Sequence, residues 1–95
     1  MLSNMKAKSL LRERHDLDDG AFAELRIWLV PQRGSTHNYK YALAYIVDGE
    51  WVFRYDNEAG KGDHKHVGAL ELSYDFESPL QLLSDFWFDV DHWRP

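Results

Sequence analysis

The sequence predicts an α+β fold: an antiparallel sheet of four to five strands with a C-terminal helix packed on one face. Three observations carry this. Two runs of aromatic and β-branched residues, "YKYALAYIV" and "WVFRYD", flank "DGE", whose Asp48-Gly49 pair signals a tight turn. An Asp-Asp-Gly turn separates two earlier runs, "KAKSLLRERHDL" and "AFAELRIWLV". Near the C-terminus, Ser78-Pro79 opens a segment whose apolar residues recur at helical spacing.

Taken in order, the first element pairs Lys6–Arg14 with Phe22–Val30 as a hairpin, although Lys, Leu and Arg in the first arm also suit a helix. In the second arm Phe22, Leu25, Ile27 and Leu29 fit period two imperfectly, with Trp28 and Val30 on the other face. Pro31 ends that run because it cannot donate to a ladder, and "PQRGSTHN" reads as a loop. In the next strand Tyr39, Tyr41, Leu43, Tyr45 and Val47 share one face, and Lys40, Ala42, Ala44 and Ile46 the other. "HKHVGALELSYDF" supplies a fifth, irregular strand. Ser78 then acts as N-cap, Pro79 takes the first helical position, and Gln81 completes a capping-box pattern. Leu80, Leu83, Phe86, Trp87 and Val90 form the apolar stripe of the helix, with Asp85, Asp89 and Gln81 opposite.

The 95 residues are read as one domain, 1–95, with no repeat or linker. Fourteen aromatic residues argue for a packed core rather than disorder. The absence of cysteine excludes disulfides, thiolate metal sites and thiol nucleophiles. No apolar leader and no membrane-length run is present, so a cytoplasmic protein is expected. The net charge of −5 is uneven: residues 1–70 balance ten cations against ten acids, whereas 71–95 set Arg94 against six carboxylates. An acidic average opposes nucleic-acid binding, but the neutral first 70 residues leave room for a local basic patch.

The chemistry concentrates in "RYDNEAGKGDHKH". Arg54 and Asp56 alternate along a strand end, with Tyr55 facing the other way, and the strand breaks at "NEAGKG". Gly60 and Gly62 around Lys61 permit a turn whose N–H groups and ammonium could hold phosphate oxygens, though no P-loop pattern is present. If "DHKH" is extended, His64 and His66 project to one side, roughly 6.5–7 Å apart, and Lys65 points away. Two such imidazoles can divide general-base and general-acid work on a ribose 2′-hydroxyl and a departing 5′-oxygen. This needs no cofactor and no metal. The rival chemical reading is a metal held by His64, His66 and either Asp63 or Asp56; the bland one is a pair of surface histidines. His37, in the polar loop before the Tyr39 strand, falls either on the same sheet edge or in solvent. Tyr39, Tyr41 and Tyr45 suit either base stacking or the core.

The stretches "RYDN", "GKGDHKH", "SYDF" and "LLSDFWFDV" resemble the TumE-type toxin family, the toxin half of two-gene toxin–antitoxin modules. The resemblance is sharpest from Arg54 to Val90. It implies a cytoplasmic bacterial or archaeal protein that blocks growth until a helix-turn-helix antitoxin binds it. By analogy with other small toxins that cut mRNA, the expected activity is a metal-independent ribonuclease. In it His64, His66 and Lys61 are catalytic, and Arg54, Asp56, Tyr55 and His37 contact substrate. The alternatives are a non-catalytic module that sequesters its target and a metal-assisted hydrolase. Partners would be the antitoxin, RNA and a second copy joined through an exposed strand edge.

Overall fold

The computed structural model describes residues 7–31, 37–58 and 62–94. Among them six strands form one antiparallel sheet: β1 (Lys8–Asp16), β2 (Ala21–Leu29), β3 (Tyr39–Val47), β4 (Glu50–Glu58), β5 (Gly62–Val67) and β6 (Leu70–Ser73). A helix, α1 (Pro79–His92), follows and packs on one face, so the α+β class holds. The strands lie in chain order, each pairing with the next. Such a meander needs only short reversals. At Asp48 and Gly49 both φ angles are positive (52° and 82°), as a two-residue hairpin matched to the strand twist requires.

The sheet has one strand more than the upper expectation because the segment after Gly62 folds as a second hairpin, β5 against β6, rather than as one irregular strand. The expected first hairpin is present, shifted to Lys8–Asp16 and Ala21–Leu29. Its imperfect alternation has a simple cause. Ala21, Ala23, Leu25 and Ile27 fill the helix-side core, which leaves Phe22 on the opposite face, where the Arg14 guanidinium lies 3.8 Å from its ring centroid.

Period two sorts the residues of β2, β3 and most of β4 between the two faces, with a register irregularity near the β3–β4 turn. The helix-side core takes Leu25 and Ile27 from β2, Tyr41, Leu43 and Tyr45 from β3, and Phe53 and Tyr55 from β4. Leu82 and Phe86 of α1 close it, both with no exposed surface. Phe86 meets Phe53 and Tyr55 edge-to-face, and Trp87 meets His15. The Ser78 hydroxyl accepts from the Gln81 N–H (3.1 Å), capping the helix as its sequence predicts.

Two details of the helix differ from the expectation. Leu82 is the buried leucine, whereas Leu80 is 80% exposed in the first turn. Asp85 and Asp89 do not face away from the sheet: they accept hydrogen bonds from the phenols of Tyr74 and Tyr55. The Gln81 amide donates to Asp85 (2.8 Å). No described helix is long and apolar enough to cross a membrane.

Candidate functional site

The face of the sheet away from α1 is built by the residues that alternate with the core. The register aligns Arg14 with Glu24 and Arg12 with Arg26 across β1 and β2. It then aligns Ala44 with Arg54, Ala42 with Asp56, Arg54 with His66, and Asp56 with His64. On β6, Glu71 stands opposite His66 and Ser73 opposite His64. His64 and His66 therefore share this open face. Between them Lys65 points the other way and pairs with Asp89 of α1 at 2.6 Å. The acidic helix and the two imidazoles lie on opposite faces.

The strands that carry this chemistry are longer than their composition suggests. β4 continues through Asn57 and Glu58, and β5 begins at Gly62, so these residues of "NEAGKG", expected to break the strand, are themselves paired. The imidazole centroids are 6.4 Å apart. His66 Nε2 lies 3.5 Å from Asp56 Oδ1, and Arg54 Nε lies 3.6 Å from Asp56 Oδ2. His64 Nδ1 lies 3.1 Å from Glu71 Oε2. Each imidazole thus has its own carboxylate, reached diagonally rather than directly across the ladder, a reach that long side chains on neighbouring strands allow. All four side chains are partly exposed. A cleft of about 270 Å³ opens beside His66, bounded by Trp51, Arg54 and Gly68.

Other expected site residues lie elsewhere. Lys61, with Gly60, falls outside the described residues. Tyr55 is 2% exposed beneath α1, and its hydroxyl donates to Asp89 at 2.5 Å, so its side chain is not on the histidine face. Burial, reinforced by the Asp89 carboxylate, pushes its phenol well above the usual tyrosine range. His37 is also on the helix side. Its Nδ1 accepts from the Tyr39 N–H (3.1 Å) and its Nε2 donates to Asp63 (3.0 Å), while its ring stacks on Phe76. The Tyr41 hydroxyl donates to the same Asp63 carboxylate at 2.8 Å, and burial with that contact raises the Tyr41 phenol strongly. His37, Asp63 and Tyr41 form a half-buried cluster that fastens the β2–β3 connection to β5, separate from His64 and His66.

Asp63 is thereby removed from any ligand set with the two histidines, since it stands on the other side of β5. Among the described residues no group of three or more His, Asp or Glu side chains is arranged to hold a metal ion. Sequence reasoning put His64 with His66 on one side and Arg54 with Asp56 along one strand end; the β4–β5 register joins the two pairs on one face. That reasoning gave no site role to Glu71 or to Asn57, whose buried amide bridges backbone groups of β3. The alternation of "LELS" opposite "HKHV" is the signal that could have placed Glu71 beside the imidazoles.

Residues 4–94 match the family model described as Toxin TumE. No curated protein and no solved structure matches the chain.

Proposed function

The chain belongs to the TumE toxin family, and from that premise we propose that this toxin component arrests growth by cutting RNA without a metal, using His64 and His66 as the acid–base pair. One observation carries the reading: both imidazoles stand on the open face, 6.4 Å apart, with the Arg54 guanidinium on the adjoining strand and the acidic helix behind the sheet. One imidazole takes the proton of a ribose 2′-hydroxyl as its oxygen attacks phosphorus. The phosphorus–O5′ bond breaks, and the other imidazole, protonated, gives its proton to O5′. The products are a 2′,3′-cyclic phosphate and a free 5′-hydroxyl. Arg54 meets the charge that builds on the phosphate oxygens. Asp56 orients His66, and Glu71 does the same for His64. Lys61 supplies a further cation. The cognate antitoxin is a helix-turn-helix protein, and the compartment is the cytoplasm.

The test replaces each histidine. His64→Ala or His66→Ala abolishes growth arrest and lowers RNA cleavage by roughly 10²–10⁴-fold, while circular dichroism stays that of the parent. A bell-shaped pH profile of kcat/KM accompanies the parent activity. Folded variants as toxic as the parent would remove both imidazoles from the mechanism. Intact RNA in cells arrested by the parent protein would instead favour a module that sequesters its target.

A further inference from the structure

A second cleft opens on the same face, beside the histidines. It encloses about 190 Å³ between β2 and β4. Its floor is Ala42 and Ala44, the two small residues that β3 turns to this side. Its walls follow from the register. Glu24 and Arg54 flank Ala44, and Arg26 and Asp56 flank Ala42. Each row sets one carboxylate and one guanidinium across an alanine, and the two rows run in opposite order.

This arrangement selects a ligand class. Two cations and two anions cancel, so the cleft does not gather phosphate as a basic pocket would. It offers an apolar floor with donors and acceptors on both sides, which suits a flat, neutral heteroaromatic ring bearing polar groups at its edge. The volume is below the ~300 Å³ at which drug-sized ligand pockets begin, consistent with a single ring system. Trp51 stands at the end of the cleft with its indole 55% exposed. The Arg54 guanidinium lies 5.1 Å from that ring's centroid. Trp51 and Arg54 also line the neighbouring cleft that contains His66. A chain whose phosphate lies at the histidines can therefore lay its adjoining base between them and the alanine floor.

We propose that the Ala42–Ala44 cleft is a nucleobase subsite for single-stranded RNA, with Trp51 as the stacking wall. This rests on the RNA reading of the histidine face. A base-paired strand would hide the ring edges from the cleft. Glu24 accepts from an exocyclic amino group, and Arg26 donates to a carbonyl or ring nitrogen, while Arg54 and Asp56 stay with the phosphate and His66. Cytosine, with an amino donor beside a ring nitrogen and a carbonyl acceptor, can use both kinds of wall.

The experiment titrates the isotopically labelled full chain with cytidine 5′-monophosphate and, separately, with ribose 5-phosphate, followed by NMR. Cytidine 5′-monophosphate should move the Trp51 indole N–H and the Ala42 amide, and ribose 5-phosphate should leave both in place. Ala42→Leu fills the trough from an exposed position, and Trp51→Ala removes the wall. Each should weaken cytidine 5′-monophosphate binding roughly tenfold, the worth of one stacked base. Parent-like affinity in both folded variants, or shifts confined to other residues, would overturn the subsite. Nucleotide binding at Trp51 without RNA cleavage would sustain the subsite and sink the ribonuclease. Cleavage by a chain whose Ala42→Leu and Trp51→Ala variants bind like the parent would do the reverse.

Discussion

Asn57 shows how a single polar side chain finishes a sheet. The β3–β4 register ends at Ala42 and Asp56, so the backbone groups of Tyr39 and Tyr41 that face β4 lie beyond it. The Asn57 amide takes the place of the missing ladder bonds. Its Oδ1 accepts from the Tyr41 N–H (3.0 Å) and its Nδ2 donates to the Tyr39 carbonyl (2.9 Å). The residue is 7% exposed, so water does not readily substitute. Asn57→Ala should cost about 1–3 kcal/mol, the usual penalty for leaving buried backbone groups unpaired. Urea unfolding would show it as a lower midpoint at unchanged slope. A loss below about 0.5 kcal/mol, typical of surface changes, would mean that the amide is not holding those groups. None of this is legible in the sequence. Asn before a Gly-containing stretch reads as a turn residue, and the bond that gives it meaning spans 16 positions.

At the scale of the element, α1 is held by more than its apolar stripe. Asp89 accepts from the Tyr55 phenol and pairs with Lys65, joining β4, β5 and the helix at one carboxylate. Asp85 does the same for the Tyr74 phenol. Hydrophobic periodicity correctly locates the helix, because Phe86, Leu83, Trp87 and Val90 do recur at its spacing. It misassigns the two aspartates because a carboxylate that accepts from a buried phenol has the same sequence signature as one in water. The same blindness hid where β5 starts and that it turns back on β6 as a hairpin. "DHKH" is polar on both faces, with Lys65 and Asp63 answering groups on the helix side and the histidines facing out, so no apolar alternation marks the limits of that strand. The buried phenols give a test with a definite sign. Tyr41 and Tyr55 bind their protons more tightly folded than unfolded, where the ordinary value is about 10. Above that pH the unfolded chain releases protons that the folded chain keeps, so stability is full below pH ~10 and falls as pH rises past it. Tyr55→Phe should flatten that alkaline decline by up to about 1.4 kcal/mol per pH unit, while lowering stability near neutrality through the lost bond to Asp89. Equal alkaline slopes in parent and variant would contradict a phenol protonated under the helix.

Across the whole molecule, charge is partitioned by face. The acidic excess belongs to residues 71–95, and most of it rides on α1 and the segment leading into it. The open face instead mixes Arg12, Arg14, Arg26 and Arg54 with Glu24, Asp56 and Glu71, as the strand register arranges them. The sequence shows the asymmetry along the chain but not which side of the sheet receives it, since that depends on which face the helix covers. If RNA lies on the histidine face, the helix acids repel it only at long range, through the sheet. Asp75→Asn, Glu77→Gln and Asp91→Asn together neutralise three exposed carboxylates. They change the formal charge from −5 to −2. RNA affinity should then rise a few-fold at ~0.01 M salt, where screening extends over about 30 Å, and match the parent at ~1 M, where it extends over about 3 Å. Arg54→Gln should act differently, lowering affinity and reducing the slope of log affinity against log salt by about one, as loss of one direct phosphate contact does. A triple variant whose advantage persists at ~1 M salt would mean that the acids touch RNA directly, and the nucleic acid would then have to lie on the helix side of the sheet.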